Sequence, residues 1–196
     1  MLKPAIYFTI ALVTIVSACK QSKKQQNANS SAISDTSKFY PLDNFFAEQI
    51  KYVDLRNFVI QKTISVDSFK TTKIIDKEIF LIDASKILYL SKKFTLNKQL
   101  YKEVVYQDLS TDSYTINYTA INASTPLQRI DILLSEETKI IKRVLMREVN
   151  KANGIVTTQQ INWEADHQFQ FTVSKENEGK ITNEVILISW NKDASK

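Results

Sequence analysis

Cys19 is the first residue in the chain with distinctive chemistry, and it is the only cysteine. Without a second thiol, neither an intrachain disulfide nor a CxxC metal or redox pair can form, so Cys19 is either a free thiol or a point of covalent attachment. The only histidine, His167, stands beside Asp166 and near Glu164 in the stretch WEADHQF. A metal site wants two or three such ligands held rigidly. This stretch lies between two strand patterns and reads as a polar hairpin loop. Asp108, Asp112 and Asp131 could supply paired carboxylates for acid–base work, but no spacing rule joins them. Asp108 and Asp112 flank a turn, where aspartate commonly bonds its own backbone. Ser110 and Ser113 have no base at an identifiable spacing. Asn117-Tyr118-Thr119 and Asn122-Ala123-Ser124 match glycosylation acceptors and read as chance matches. The sequence holds no glycine-rich phosphate loop, nucleophile elbow or HExxH. Neither a cofactor nor a metal is expected, and an enzyme is the weakest of the functional readings.

The surroundings of Cys19 give it a different use. Met1-Leu2-Lys3 is a short positive region, Ala5 to Val16 is an apolar run, and the small pair Ser17-Ala18 precedes the cysteine. That order is the grammar of a secretory signal. The run is about a dozen residues, short of the roughly 20 that a permanent spanning helix needs. Val16-Ser17-Ala18-Cys19 resembles the lipobox of bacterial lipoproteins, with valine where leucine is most frequent. The resemblance covers the leader only. It implies cleavage between Ala18 and Cys19, a diacylglyceryl group on the Cys19 thiol and fatty acid, such as palmitate, on the new amino terminus. Each buried methylene contributes about 0.8 kcal/mol, so two or three chains hold a protein on a membrane almost permanently. Lys20, rather than an acid, after the cysteine resembles lipoproteins sent to the outer membrane, on its periplasmic face.

Most of the formal +5 charge lies ahead of the body of the chain: residues 1–38 hold Lys3, Lys20, Lys23, Lys24 and Lys38 against Asp35 alone. Residues 39–196 are nearly neutral, with cations and acids interspersed, so they lack the phosphate-neutralising footprint of a nucleic-acid binder. Residues 20–38, KQSKKQQNANSSAISDTSK, contain Ile33 as their only sizeable apolar side chain. Such a segment cannot bury enough surface to offset its ordering entropy. The expectation is a polar tether, which as a flexible coil would span on the order of 24 Å. The divisions are thus a signal peptide over 1–18, a lipidated Cys19 and tether over 19–38, and a single domain over 39–196.

Two helices are expected to lead that domain. Leu42, Phe45, Phe46, Ile50 and Val53 recur three or four apart, with Pro41 suited to a first turn. Asp76 is placed as the N-cap of a second helix whose apolar side runs through Phe80, Ala84, Ile87, Leu88 and Ser91. Thr63 to Phe69 between them has strand-like composition. Beyond Leu96 the period becomes two. Seven strand patterns succeed one another: Tyr101 to Asp108, Tyr114 to Thr119, Gln128 to Leu134, Ile140 to Val149, Ile155 to Trp163, Gln168 to Val173 and Ile181 to Trp190. Asn153-Gly154 and the Gly179 turn mark tight hairpins. The predicted fold is α+β, with two N-terminal helices packed on a curved antiparallel sheet of six to seven meander strands.

In outline this layout resembles the half-barrel of periplasmic lipoprotein carriers and, more loosely, small uncharacterised lipoproteins of Gram-negative bacteria. No motif residues accompany either likeness, and shared architecture would not establish shared function. The expected role is non-enzymatic binding or scaffolding in the cell envelope, with the membrane engaged through Cys19 and another envelope protein as partner. The alternative is a carrier or sensor of an apolar ligand enclosed between helices and sheet.

Overall fold

The computed structural model describes residues 39–190, which fall within one compact unit. The element order is α1 (Leu42–Asp54), β1 (Ile60–Val66), β2 (Phe69–Ile75), α2 (Lys77–Leu96), a short 3-10 turn (Lys98–Leu100), then β3 (Tyr101–Asp108), β4 (Ser113–Ala120), β5 (Leu127–Ser135), β6 (Ile141–Ala152), β7 (Ile155–Glu164), β8 (Gln168–Asn177) and β9 (Lys180–Ser189). All strands form one open antiparallel sheet in the order β2-β1-β9-β8-β7-β6-β5-β4-β3. The α+β class and the meander from β3 to β9 agree with the sequence. Two features do not.

The sheet has nine strands, not six or seven. The stretch around Thr63 to Phe69 is a complete hairpin, β1 and β2, paired from Ile60↔Ile75 to Val66↔Phe69. Its second strand, FKTTKII, is exposed along all but its last residue, so no burial pattern marks it. Its turn, Asp67-Ser68, contains no glycine, although Asp67 adopts φ 49°. The second correction concerns order. The helices do not both precede the sheet, because this hairpin lies between them and β1 turns back to pair with the last strand, β9.

Elsewhere the local chemistry acts as expected. Asp76 caps α2, its carboxylate accepting from the Ile79 N–H at 2.9 Å. Asn153 and Gly154 (φ 52° and 76°) form the two-residue turn between β6 and β7, and Glu178 and Gly179 (φ 50° and 76°) form that between β8 and β9. Such paired positive φ values match the twist of the flanking strands.

One face of the sheet carries Tyr118, Ile130, Ile132, Val144, Met146, Ile161, Trp163, Phe169 and Ile188, all buried. The helices lie on this face. Phe46 of α1 meets Trp163 edge-on at 5.2 Å, and Phe80 of α2 contacts Phe169 and Trp190 at 5.8 and 5.5 Å. Phe94, near the end of α2, meets Tyr101 and Tyr118, both at 4.9 Å. Trp163 stacks on Phe169 with ring centroids 4.9 Å apart. Burying each large side chain contributes about 1.5–3 kcal/mol, which accounts for the helices remaining docked. Among the described residues no helix lies over the opposite face of the sheet, which carries the polar partners of the alternation, Thr115, Asn117, Asp131, Gln160 and Gln170 among them.

Candidate functional site

Val16, Ser17, Ala18 and Cys19, the residues of the lipobox reading, lie outside the described residues, as do the signal and tether segments. The His167 stretch is the turn between β7 and β8. His167 is exposed, with Nδ1 2.8 Å from the Ala165 carbonyl, and Asp166 takes φ 62°. Gln49 of α1 clasps this turn from both sides. Its Nε2 donates to Asp166 Oδ1 at 3.0 Å, and its Oε1 accepts from the Asp166 N–H at 2.9 Å. Trp190 N–H donates to the His167 carbonyl at 3.0 Å. Glu164 faces Arg143 at 3.7 Å and accepts from Gln168. The turn therefore latches α1 to the end of the sheet. Among the described residues, no group of three or more His, Cys, Asp or Glu could hold a metal ion.

The three aspartates are occupied separately. Asp108 accepts from the Ser110 N–H and hydroxyl (2.9 and 2.6 Å) and from the Thr111 hydroxyl (2.8 Å). Those bonds hold its carboxyl below the ordinary range. Asp112 is a left-handed turn residue. Asp131, in mid-strand on the uncovered face, binds Arg129 at 2.7 and 3.1 Å and accepts from Asn117 Nδ2 at 2.7 Å. Ser110 is held by Asp108, and Ser113 shares a hydrogen bond with Thr111. Asn117 is buried, which suits a strand residue and not a glycan acceptor, and Asn122 orders its own turn by accepting from Ser124.

Sequence reasoning missed the most unusual polar group. Asp83 of α2 is buried between Lys62 of β1 (2.6 Å) and Lys86 (2.7 Å). Burial alone would raise its carboxyl, but the hydrogen bonds and charges of the two lysines outweigh it, and the group is held below the ordinary aspartate value. A carboxylate so stabilised is a poor proton acceptor and acts as a lock between helix and sheet. Its signal was present: an acid one residue before Ala84 falls on the buried stripe of α2. Burial, followed by the nearby Glu103, also pushes the Tyr118 phenol up against the opposing effect of the Tyr40 N–H that donates to it at 3.1 Å.

Beside Lys62 the sheet runs beyond the helices. Lys62, Ile64, Val66, Phe69, Thr71 and Lys73 line a groove of about 300 Å³ there, with Phe69 82% exposed. A second groove of about 210 Å³ lies across β5, β6 and β7 and is lined by Arg129, Asp131, Leu145, Met146, Arg147 and Gln160. Both are open surface features, while the space between helices and sheet is filled by rings in mutual contact. No helix among the described residues is long and apolar enough to cross a membrane. Compared with models of protein families, with curated proteins and with solved structures, the chain matches none.

Proposed function

We propose that this chain is a cell-envelope lipoprotein, anchored through acyl chains at Cys19, whose domain is a non-enzymatic binding module that meets an envelope partner with its outer surfaces. The anchor rests on the leader grammar and the lipobox-like Val16-Ser17-Ala18-Cys19. The mode of binding rests on one observation: Phe46, Phe80, Phe94, Trp163, Phe169 and Trp190 occupy the space between helices and sheet. A carrier needs that space for its ligand, so the filled core favours contact at exposed strands and grooves. Among the polar groups with perturbed titration, Asp83, Asp108 and Tyr118 each have a structural partner, which favours binding over catalysis.

Photo-crosslinking amino acids placed at Phe69, Tyr106 and Leu145 in intact cells test this reading, since all three are exposed on different parts of the sheet. At least one should capture a reproducible envelope protein. Failure of all three, together with co-purification of a stoichiometric apolar molecule, would overturn it in favour of a carrier.

A further inference from the structure

We infer that the free edge of β3 is a self-association site, through which two copies of this chain join their sheets in one antiparallel register centred on Val105. This inference stands independently of the lipid anchor.

Among the described residues β3 pairs only with β4, so one side of its backbone has no ladder partner. The orientation of that side is set by one bond. Ile121 N–H donates to the Leu100 carbonyl at 2.9 Å, in register with the pair Tyr101↔Ala120. Bonded and non-bonded pairs alternate along an antiparallel ladder. Lys102, Val104, Tyr106 and Asp108 therefore bond toward β4. The N–H and C=O groups of Tyr101, Glu103, Val105 and Gln107 point outward, as a template for another strand.

A two-fold pairing must bring these outward-pointing residues opposite one another, so only registers in which one residue faces its own copy are allowed. Centring on Lys102, Glu103 or Asp108 opposes like charges, and centring on Tyr101 or Gln107 overlaps no more than three residues of β3. Centring on Val104 or Tyr106 sets Lys102 against Tyr106 or Asp108 against Val104. Centring on Val105 sets Lys102 against Asp108 twice, Val104 against Tyr106 twice, Glu103 against Gln107, and Val105 against itself. Opposite charges and apolar pairs directly across strands are the stabilising combinations. Val105 and Tyr106 are themselves 51% and 56% exposed.

The other edge lacks this match. The β2 sequence FKTTKII contains Lys70 and Lys73 and no acid, so no self-pairing compensates its charge. Lysines on an edge strand are a common guard against such pairing. The symmetry also suits attachment to one membrane. A two-fold axis normal to the sheet keeps both helical layers on the same side, where Phe39 stacks on Tyr118 at 4.8 Å in each copy.

Disulfide trapping of the purified full chain with an added thiol oxidant tests the register. Residues facing each other in a bonded pair have Cα atoms about 5.5 Å apart, within disulfide reach. Val105→Cys should give a reducible dimer at least tenfold more abundant than Val104→Cys or Tyr106→Cys alone gives. Chains carrying Val104→Cys and Tyr106→Cys should crosslink to each other when co-expressed. The unmutated chain reports any contribution of Cys19. Absence of a Val105→Cys dimer, or equal trapping from Thr71→Cys on the opposite edge, would overturn the proposal. Lys102→Glu, an exposed change that leaves the β4 ladder intact, is the second measurement. It sets an acid against Asp108 and should weaken the dimer of detergent-extracted chain at least tenfold by native mass spectrometry. An unchanged dimer, or a wild-type chain that is monomeric at every concentration, would equally overturn it.

Discussion

Replacing Asp83 by leucine leaves Lys62 beneath α2 without its counter-ion. The Lys62 side chain is only 14% exposed and that of Asp83 7%, so the pair is largely withdrawn from water. Removing one member of a buried pair costs about 3–5 kcal/mol. Lys62 keeps partial access to solvent and the Lys86 side chain is 59% exposed, so the lower end applies, about 3 kcal/mol. For a domain of this size that corresponds to a fall of roughly 6–12 °C in Tm. Lys62→Met combined with Asp83→Leu removes both charges and should return stability to within about 1 kcal/mol of wild type. Urea unfolding of the chain from Lys20 onward, followed by the fluorescence of buried Trp163 and Trp190, measures all three.

The pH dependence has a defined sign. Asp83 is held below its ordinary value of 3.8, so the stability it confers is present above that value. It is lost as pH falls below 3.8 through the folded-state value, and the difference between wild type and Asp83→Leu should close in acid. An Asp83→Leu chain as stable as wild type at neutral pH would refute the view that this ion pair is desolvated. A double variant no better than the single one would refute its coupling to Lys62.

Other substitutions test the remaining elements by the same unfolding measurement. Phe80→Ala should cost about 3–5 kcal/mol, because the ring is fully buried against Phe169 and Trp190. Asp76→Ala should cost about 1 kcal/mol through loss of the bond to the Ile79 N–H. Gly154→Ala should cost about 1–2 kcal/mol; an added Cβ meets nothing within 4 Å there, so the whole effect is the left-handed backbone at φ 76°.

How much of the fold is legible in the sequence depends on how strongly water selects each residue. Strands β4 and β8 were legible because one face is covered and the other is not, which imposes alternation such as Tyr114, Ile116 and Tyr118 against Thr115, Asn117 and Thr119 and Phe169, Phe171 and Val173 against Gln168, Gln170 and Thr172. Asn153-Gly154 was legible because few residue pairs accept two positive φ values. The edge strand β2 has no covered face over most of its length, so its pattern is flat, and its Asp67-Ser68 turn relies on an aspartate in the left-handed region. The pairing of β1 with β9 joins residues over a hundred positions apart and leaves no local trace. Asp83 sat visibly on an apolar stripe, but its partner Lys62 could be identified only once β1 was known to pass beneath α2. The plain reading of WEADHQF as a loop agrees with the observed turn, while the grip of Gln49 on Asp166 depends on how α1 crosses the end of the sheet.

The anchor is the claim on which location and role both depend. Mass spectrometry of the amino-terminal peptide from the membrane-extracted protein addresses it directly. The expected species begins at Cys19 and carries a diacylglyceryl group on sulfur with a fatty acid on its α-amino group. A mature chain that starts at any other residue, or that starts at Cys19 with a free thiol, would contradict the account.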